Sequence, residues 1–365
     1  MSFYENRFYK NFFWIELFMH GLYRRIFSKT PTFLTFFITS RCNAKCKHCF
    51  YQNRISSEGK NELDLEEIEK ISKSMDRIDY LYLTGGEPFL RKDLSEIAYL
   101  FYKNNKSKLI VLPTNGYFTK DVYSEAKKIL ERCVSSLIVI QLSIDGIKKL
   151  HDNIRGVNGA YNNLIETYHR LYELQKTHKN LIINFTLTFS KENQDYALEV
   201  YNFLKDNFKF NNFGLCLIRG EVDSRLKDVS ISKYREAVNE IINSESLGIK
   251  GFNCLFHWLI KKRREVFYDI ICDTHITKKR QLNCTAGSYN AVIDEKGDVY
   301  PCELIEKKMG SLREKNHDFK KIWFSEEAQK IRNVIKKGKC YCTHESNISL
   351  NLNFSLRMFK NMLKI

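Results

Sequence analysis

Strand-like and helix-like segments alternate regularly from Thr32 to about Ser244. Short apolar runs predict six strands, Phe33–Thr39, Tyr80–Thr84, Lys108–Pro113, Leu137–Ser143, Leu181–Thr188 and Phe213–Ile218. Amphipathic stretches between them predict six helices, Asp64–Met75, Asp93–Asn104, Lys120–Arg132, Ala160–Gln175, Gln194–Asn207 and Ile231–Ile242. Serial strand–helix units require parallel strands joined by right-handed crossovers. The sequence therefore predicts an α/β fold, a partial (β/α)6 TIM-like barrel, with Asp64 as the N-cap of its first helix.

Polar and glycine-rich segments follow the first four predicted strands. They are SRCNAKCKHC, TGGEP (Thr84–Pro88), TNG (Thr114–Gly116) and SIDG (Ser143–Gly146). Parallel strands bring their C-terminal ends to one edge, which is where barrels of this kind hold their functional residues. We therefore expect these segments to form one active-site rim.

After about residue 246 the strand–helix alternation stops and a second, smaller α+β domain is expected. A β-hairpin is predicted there, with strands Ala291–Asp294 and Asp298–Tyr300 around Glu295-Lys296-Gly297. The predicted organisation is an amphipathic N-terminal extension (1–31), a core domain (32–245), the second domain (246–346) and an amphipathic tail (347–365).

The chain carries 59 Lys and Arg against 43 Asp and Glu, a formal net charge of +16. Most of these cations are scattered along amphipathic segments, a pattern typical of a solvated surface. The two tight basic runs, Lys261–Arg264 and Lys336–Lys339, are shorter than nucleic-acid-binding arms. No RNA-binding module is visible. RNA modification, which predicts steeply salt-dependent RNA binding, stays an alternative.

Residues 11–27 form an amphipathic segment interrupted by Glu16, His20, Arg24 and Arg25. It is too short and too charged to cross a bilayer. A helix packed across the main domain is expected, with peripheral membrane contact as the alternative.

Eleven cysteines without a signal peptide indicate a reducing, cytoplasmic location rather than a disulfide scaffold. Three of them, Cys42, Cys46 and Cys49, have the spacing C-x3-C-x2-C on a loop that leaves the first strand. Three soft ligands suit a metal or a cluster. A structural zinc site needs four ligands, whereas three thiolates on a [4Fe-4S] cluster leave one iron open to another molecule.

The segments FITSRCNAKCKHCF and LYLTGGEPFLR together resemble the radical S-adenosylmethionine (SAM) superfamily. The resemblance implies that the open iron chelates SAM and that reductive cleavage yields a 5′-deoxyadenosyl radical, which takes hydrogen from a substrate. It also implies SAM-binding residues at the strand ends: Gly85, Gly86, Glu87, Asn115, Ser143 and Asp145. The guanidinium of Arg155 suits a carboxylate clamp, or else a plain salt bridge. From position alone, the rim is expected to include Asn184, Thr186 and Arg219.

A second set of cysteines comprises Cys284, Cys302, Cys340 and Cys342. The pattern CTAGSYNAVIDEKGDVYPC followed by KCYC resembles the SPASM domain or its shorter form, twitch, and implies one auxiliary [4Fe-4S] cluster. Ser346 occupies a position where related sequences often have another cysteine. The fourth ligand is therefore open between the Cys340/Cys342 pair and three other residues, His344, Cys254 and Cys272.

A structural zinc ion at this second site is also left open. The two cysteines of the core that are assigned to neither set, Cys133 and Cys216, are expected to be small buried hydrophobes.

The expected activity is that of a radical SAM enzyme that modifies a small molecule, a lipid-linked molecule or a peptide. The auxiliary cluster would assist electron transfer, and the expected reductant is a flavodoxin or ferredoxin. Besides RNA modification, the alternative from another class is a zinc-binding interaction protein. No catalytic side chain is assigned from the sequence.

Overall fold

The structure is a computed structural model, and it describes residues 30–56, 58–244, 254–338, 340–353 and 355. The predicted N-terminal extension and most of the predicted C-terminal tail lie outside these residues. Within the described part of the chain, no helix combines the length and apolarity that crossing a bilayer requires.

Nine strands of the described residues form one twisted sheet. They are β1 (Phe33–Thr39), β2 (Tyr80–Gly85), β3 (Leu109–Thr114), β4 (Leu137–Ser143), β5 (Leu181–Phe189), β6 (Asn212–Leu217), β7 (Asn290–Ile293), β8 (Asp298–Tyr300) and β9 (Gly310–Ser311). Their order is β6-β5-β4-β3-β2-β1-β7-β8-β9. Strands β1 to β6 pair in parallel, and β6 and β9 end the sheet as edges, so the barrel is partial, as predicted.

Eleven α-helices are assigned in the described residues. They are α1 (Leu65–Ser74), α2 (Leu94–Asn105), α3 (Thr119–Arg132), α4 (Lys149–Arg155), α5 (Ala160–Thr177), α6 (Ala197–Asn207), α7 (Ile231–Ser244), α8 (Cys254–Thr277), α9 (Phe319–Trp323), α10 (Glu326–Lys336) and α11 (Glu345–Asn353). All six predicted core strands and all six predicted core helices are present, with ends shifted by three residues at most. Asp64 caps α1 in a capping box with Glu67, which confirms the predicted N-cap.

The main hydrophobic core lies between the convex face of the sheet and the helices. Alternate residues of β1, namely Leu34, Phe36 and Ile38, are fully buried against it. On the concave face, α8 and α11 are joined to each other. Arg263 of α8 donates to the hydroxyl of Ser349 at 2.9 Å and to the side chain of Asn353 at 2.9 Å. Arg263 also interacts with Tyr80, and Ser346 of α11 interacts with Tyr82, so both helices lie on the face of β2 that these tyrosines occupy, the open side of the partial barrel.

The predicted hairpin is formed by β7 and β8. Its first strand pairs in parallel with β1, with Phe33 opposite Asn290, so the hairpin extends the core sheet. Because β7 is parallel to β1, the hairpin turn at Gly297 lies at the same edge as the cysteine loop that follows β1. The predicted domain boundary at residue 245 stays a prediction.

Candidate active site

The first three cysteines lie in one cavity at the C-terminal edge of the sheet. The cavity has a volume of about 220 Å³. Its lining includes Cys42, Cys46, Cys49, Gly85, Gly86, Glu87, Asn115, Ser143, Arg155 and Arg219. The structure therefore brings together all but one of the rim residues expected to bind SAM. The exception is Asp145, which is fully buried behind the cavity wall.

The two glycines of TGGEP hold the cysteine loop from one side. Gly86 N–H donates to the Thr39 carbonyl and Glu87 N–H to the Arg41 carbonyl, both at 2.8 Å. A Cβ atom on Gly85 would lie 2.1 Å from the Thr39 oxygen, and one on Gly86 would lie 2.1 Å from the Arg41 oxygen. Without side chains, Gly85 packs against the last residue of β1 and Gly86 against the cysteine loop, and both glycines also line the cavity. Their contact with SAM stays a prediction.

The end of α4 holds the same loop from the other side. Lys45 N–H donates to the Arg155 carbonyl and Lys47 N–H to the Ile154 carbonyl, both at 3.0 Å. Gly156 follows with φ of 65°, and a Cβ there would meet the Lys45 oxygen at 2.7 Å. The loop is thus fixed by backbone contacts at both flanks before any ligand binds.

Glu87 is a buried carboxylate at the base of the cavity. It accepts hydrogen bonds from the Thr114 hydroxyl and the Asn115 N–H, each at 2.8 Å. Burial raises the pKa of Glu87 to about 7, although these hydrogen bonds oppose the shift. The side chain of Asn115 donates to Asn43 at 2.9 Å, which ties the TNG segment to the cysteine loop.

Arg155 and Asp145 form a buried ion pair, with 2.7 Å between Nε and Oδ2, although their angle does not suit a hydrogen bond. Burial favours the neutral acid and is the largest single effect, but Arg155, the two histidines His48 and His151 and the hydrogen bond from the Thr188 N–H together outweigh it and hold the pKa of Asp145 below its usual range. Arg155 also donates to the sulfur of Cys46 at 3.6 Å. The predicted carboxylate clamp is therefore held between a carboxylate of the protein and a cysteine, and Asp145 positions it.

His48 lies on the other side of Asp145, with 3.6 Å from Nε2 to Oδ2. Burial lowers the pKa of His48, so the ring is neutral at pH 7.

Two thiols at the first site, those of Cys42 and Cys49, keep their protons at pH 7 unless a bound cation displaces them. Burial raises the pKa of Cys42 to about 12 and that of Cys49 to about 11. Negative charge on one thiol raises the pKa of another, which shows that the sulfurs lie close enough to interact. A metal centre supplies the positive charge that makes such thiols bind as thiolates.

Cys284, Cys302, Cys340 and Cys342 also come together. Electrostatic interactions link Cys284 with Cys340 and Cys302 with both Cys284 and Cys342. Burial raises the pKa of Cys302 to about 12 and that of Cys342 to about 11. In the described residues no set of three His, Cys, Asp or Glu side chains is placed to surround a single metal ion.

Both cysteine sites share one backbone feature. The N–H group two residues further along the chain donates to the sulfur, and hydrogen bonds of this kind tune iron–sulfur clusters. The donor and acceptor pairs are Ala44 with Cys42, Tyr51 with Cys49, Ala286 with Cys284, Leu304 with Cys302 and His344 with Cys342. The residues present at both sites therefore fit iron–sulfur clusters.

The other candidate ligands for the second site lie elsewhere or already have polar partners within the protein. His344 pairs with Glu303 through Nε2 at 2.8 Å and accepts from the Asn347 N–H through Nδ1. Cys272 is buried in α8 and interacts with Arg235 of α7. The side chain of Cys254 lies outside the described residues. The Cys340/Cys342 pair is the alternative that the structure brings to the site.

A charged network that the sequence did not reveal connects the two sites. Arg219, at the end of β6, donates to Glu345 at 2.5 Å and lies 3.7 Å from Glu303. Burial opposes the ionisation of Glu303, but His344 and Arg219 lower its pKa to about 2. The guanidinium of Arg219 stacks on the ring of Phe50, 5.6 Å from its centroid. Both glutamates stand near cysteines in the sequence, yet no motif marks them.

The remaining candidates occupy ordinary structural positions. Asn184 and Thr186 lie half-buried on β5, facing the concave side. Cys133 is fully buried, as expected. Cys216 is only half-buried and interacts with Arg219, so it belongs to the concave face rather than to the main core.

Comparison with known proteins places these two sites in recognised families. The model of the radical SAM superfamily matches residues 36–204, and that of the iron–sulfur cluster-binding domain SPASM matches residues 284–344.

Two curated relatives come from Methanosarcina barkeri. The AdoMet-dependent heme synthase is 25% identical over 325 residues, which cover 86% of this chain and 88% of the relative. The Fe-coproporphyrin III synthase is 29% identical over 220 residues, 59% of this chain and only 52% of the relative. Among solved structures, Streptococcus suis SuiB bound to its precursor peptide SuiA aligns with a TM-score of 0.58 at 18% identity. That alignment covers 90% of this chain and 72% of SuiB.

The parallel partial barrel and its cysteine-lined cavity define an iron–sulfur enzyme. The chain contains a radical SAM domain followed by a SPASM-type domain. These domains imply SAM, a SAM-binding [4Fe-4S] cluster and auxiliary iron–sulfur clusters as cofactors. The two curated relatives named above are enzymes, so the comparisons favour an enzyme over the alternative of a zinc-binding interaction protein.

Proposed function

We propose that Cys42, Cys46 and Cys49 hold the SAM-binding cluster and that the enzyme abstracts hydrogen from a substrate bound beside Arg219. The observation that carries this proposal is the single cavity lined by the three thiols, TGGEP, Asn115 and Arg219. When bound there, the cluster supplies the electron that cleaves SAM to methionine and a 5′-deoxyadenosyl radical.

The residues of the cavity have distinct roles in this proposal. Gly85 and Gly86 hold the cysteine loop against β1, which sets the place of the three thiolates before SAM arrives. Glu87, when ionised, accepts from the amino group of SAM. Asn115 and Ser143 offer hydrogen bonds to its ribose and carboxylate. Asp145 keeps Arg155 beside Cys46, where the guanidinium is within reach of an incoming carboxylate.

Cys284, Cys302, Cys340 and Cys342 hold one auxiliary [4Fe-4S] cluster in the proposal, and this cluster assists electron transfer. Support comes from their mutual electrostatic contacts and from the N–H groups that point at three of the sulfurs. A structural zinc ion is the second candidate, because four cysteines also meet the demand of zinc.

The substrate class is proposed more broadly, as a small molecule, a lipid-linked molecule or a peptide. The relatives named above are an Fe-coproporphyrin III synthase and an AdoMet-dependent heme synthase, and SuiB binds a precursor peptide. RNA stays the alternative substrate because of the +16 net charge. A flavodoxin or ferredoxin as reductant, peripheral membrane contact and a cytoplasmic location remain parts of the proposal.

The test is anaerobic reconstitution with iron and sulfide, followed by iron and zinc counts and an assay of 5′-deoxyadenosine from SAM and dithionite. We expect about eight irons per chain. The variant Cys42→Ala/Cys46→Ala/Cys49→Ala should keep about four irons and lose SAM cleavage, whereas the control Cys133→Ala should retain both. About four irons plus one zinc would make the second site structural. Cleavage that survives in the triple variant would overturn the proposal.

A further inference from the structure

Three segments meet on the surface around Cys340. The guanidinium of Arg280 joins them, because Nη1 donates to the Ile335 carbonyl at 2.7 Å, Nε to the Cys340 carbonyl at 3.1 Å and Nη2 to the Cys340 sulfur at 2.9 Å. We name residues 276–280, 334–338 and 340–342 together the Cys340 surface.

Cys340 brings the second cysteine site to solvent at this surface. Of the seven cysteines proposed as cluster ligands, only Cys340 is exposed, while the other six are half-buried or buried. Electron transfer between proteins weakens steeply with distance, so a partner must approach where a ligand of the cluster reaches the surface. The Cys340 surface meets that requirement, because its central residue is itself a proposed ligand.

The Cys340 surface is strongly positive. Lys278, Lys279, Lys336 and Lys337 are exposed, and none of their ammonium groups forms an ion pair with another described residue. Many other surface lysines of the described chain are neutralised; Lys70 pairs with Glu66 at 2.7 Å, for example. With Arg280, which contacts the sulfur of Cys340, five cations therefore lie in the segments that form this surface. Such a field attracts an acidic partner and orients it.

The same surface carries uncovered apolar side chains. Ile276, Val334 and Tyr341 are 57%, 58% and 50% exposed. They make up three of the six large hydrophobic side chains that are exposed in the described residues. Interfaces commonly combine apolar and aromatic contacts with a polar rim, and this surface offers both.

We propose that the Cys340 surface docks an acidic one-electron carrier protein. The inference rests on the proposed auxiliary cluster and adds the place where its electron is exchanged. The reduced carrier would give one electron to the auxiliary cluster, which would pass it on to the SAM-binding cluster, so the carrier is oxidised by one electron and no bond forms or breaks at the surface. The exposed proposed ligand favours a redox partner over RNA, which the cations alone would also attract.

The test uses the reconstituted full chain and an acidic flavodoxin as the probe. Its affinity is measured by calorimetry at low and high salt, for the wild type and for Lys278→Glu/Lys279→Glu and Lys336→Glu/Lys337→Glu. The matched control is Lys120→Glu/Lys205→Glu, which makes the same charge change at exposed positions of α3 and α6. We expect each surface variant to weaken binding by about tenfold or more and to flatten its salt dependence, while the control binds as the wild type does.

Activity with two reductants separates this inference from the proposed function. Dithionite needs no docking surface, so dithionite-driven SAM cleavage should be equal in all these variants, while flavodoxin-driven cleavage should fall with affinity. Loss of dithionite-driven cleavage in the Cys42/Cys46/Cys49 variant tests the proposed function alone. Unchanged flavodoxin binding in both surface variants would overturn the docking proposal. Weaker binding of a single-stranded RNA probe by the surface variants, with unchanged flavodoxin binding, would also overturn the docking proposal.

Discussion

Arg219 and Glu345 form a half-buried ion pair that spans the open side of the partial barrel. The guanidinium donates to Oε2 at 2.5 Å, and the Leu217 N–H donates to Oε1 at 2.8 Å. Arg219 lies two residues after the edge strand β6, and Glu345 begins α11 three residues after Cys342. The pair therefore connects the wall of the candidate active site to the second cysteine site.

Arg219→Ala should lower the free energy of unfolding by about 2–3 kcal/mol, because it leaves the half-buried carboxylates of Glu345 and Glu303 without the guanidinium. Urea denaturation measures this loss. The control Arg170→Ala removes an exposed i,i+4 pair with Glu166 and should cost about 0.5 kcal/mol or less. Equal small losses in both variants would show that Arg219 is solvated in solution.

Gly86→Ala should displace the cysteine loop, because the new Cβ would lie 2.1 Å from the backbone oxygen of Arg41. We expect loss of the irons at the first site and a fall in SAM cleavage of about 100-fold or more, as small misplacements of reacting groups cause. Iron counting and the 5′-deoxyadenosine assay measure both effects. Gly214→Ala is the control, since its nearest contact is the Thr186 hydroxyl at 3.3 Å. Full iron content in Gly86→Ala would contradict the prediction.

Glu87 should make the metal-free protein less stable as the pH rises. Its pKa of about 7 in the folded chain exceeds the ordinary value of 4.5, so the folded state binds the extra proton between these two pH values. Stability relative to Glu87→Gln should therefore fall by about 3 kcal/mol from about pH 4.5 to pH 7 and then level off. Urea denaturation across this range measures the difference. The exposed Glu166→Gln should follow the wild type, and a rise in relative stability with pH would refute the assignment.

Asp64→Ala should destabilise the protein by about 1 kcal/mol, because Asp64 accepts the Glu67 N–H at 2.8 Å and closes the capping box of α1. Thermal or urea unfolding tests this. Asp64→Asn, which keeps an acceptor oxygen, should lose only a few tenths of a kcal/mol. No difference between the two variants would mean that the cap does not stabilise α1.

The sequence predicted the core strands and helices well because their signals are local. The apolar runs of β1 and β4 have the same bounds in the sequence and in the structure. The cysteine spacing and TGGEP mark the rim of the active site for the same reason, since each lies within a few residues of a strand end. The capping residue Asp64 is likewise set by its immediate neighbours.

Other features depend on contacts between residues far apart in the chain. No local pattern predicts that β7 pairs with β1, because the register of a parallel pair depends on how the side chains on both faces of the sheet pack. Arg219 and Glu345 are 126 residues apart in the sequence, and neither of them belongs to a motif. The burial of Asp145, which removes it from the cavity lining, likewise depends on Arg155 and His48 folding over it.

The sequence by itself determined the strand–helix order, the two cysteine sets and the radical SAM chemistry that their spacing implies, because periodicity and ligand spacing are local properties of the chain. Only the tertiary structure decided what surrounds those ligands. It made the TGGEP glycines contacts of the cysteine loop, turned Asp145 into the partner of Arg155 and left Cys340 as the exposed sulfur among cations. These outcomes depend on burial, distance and charge between segments that meet only after folding.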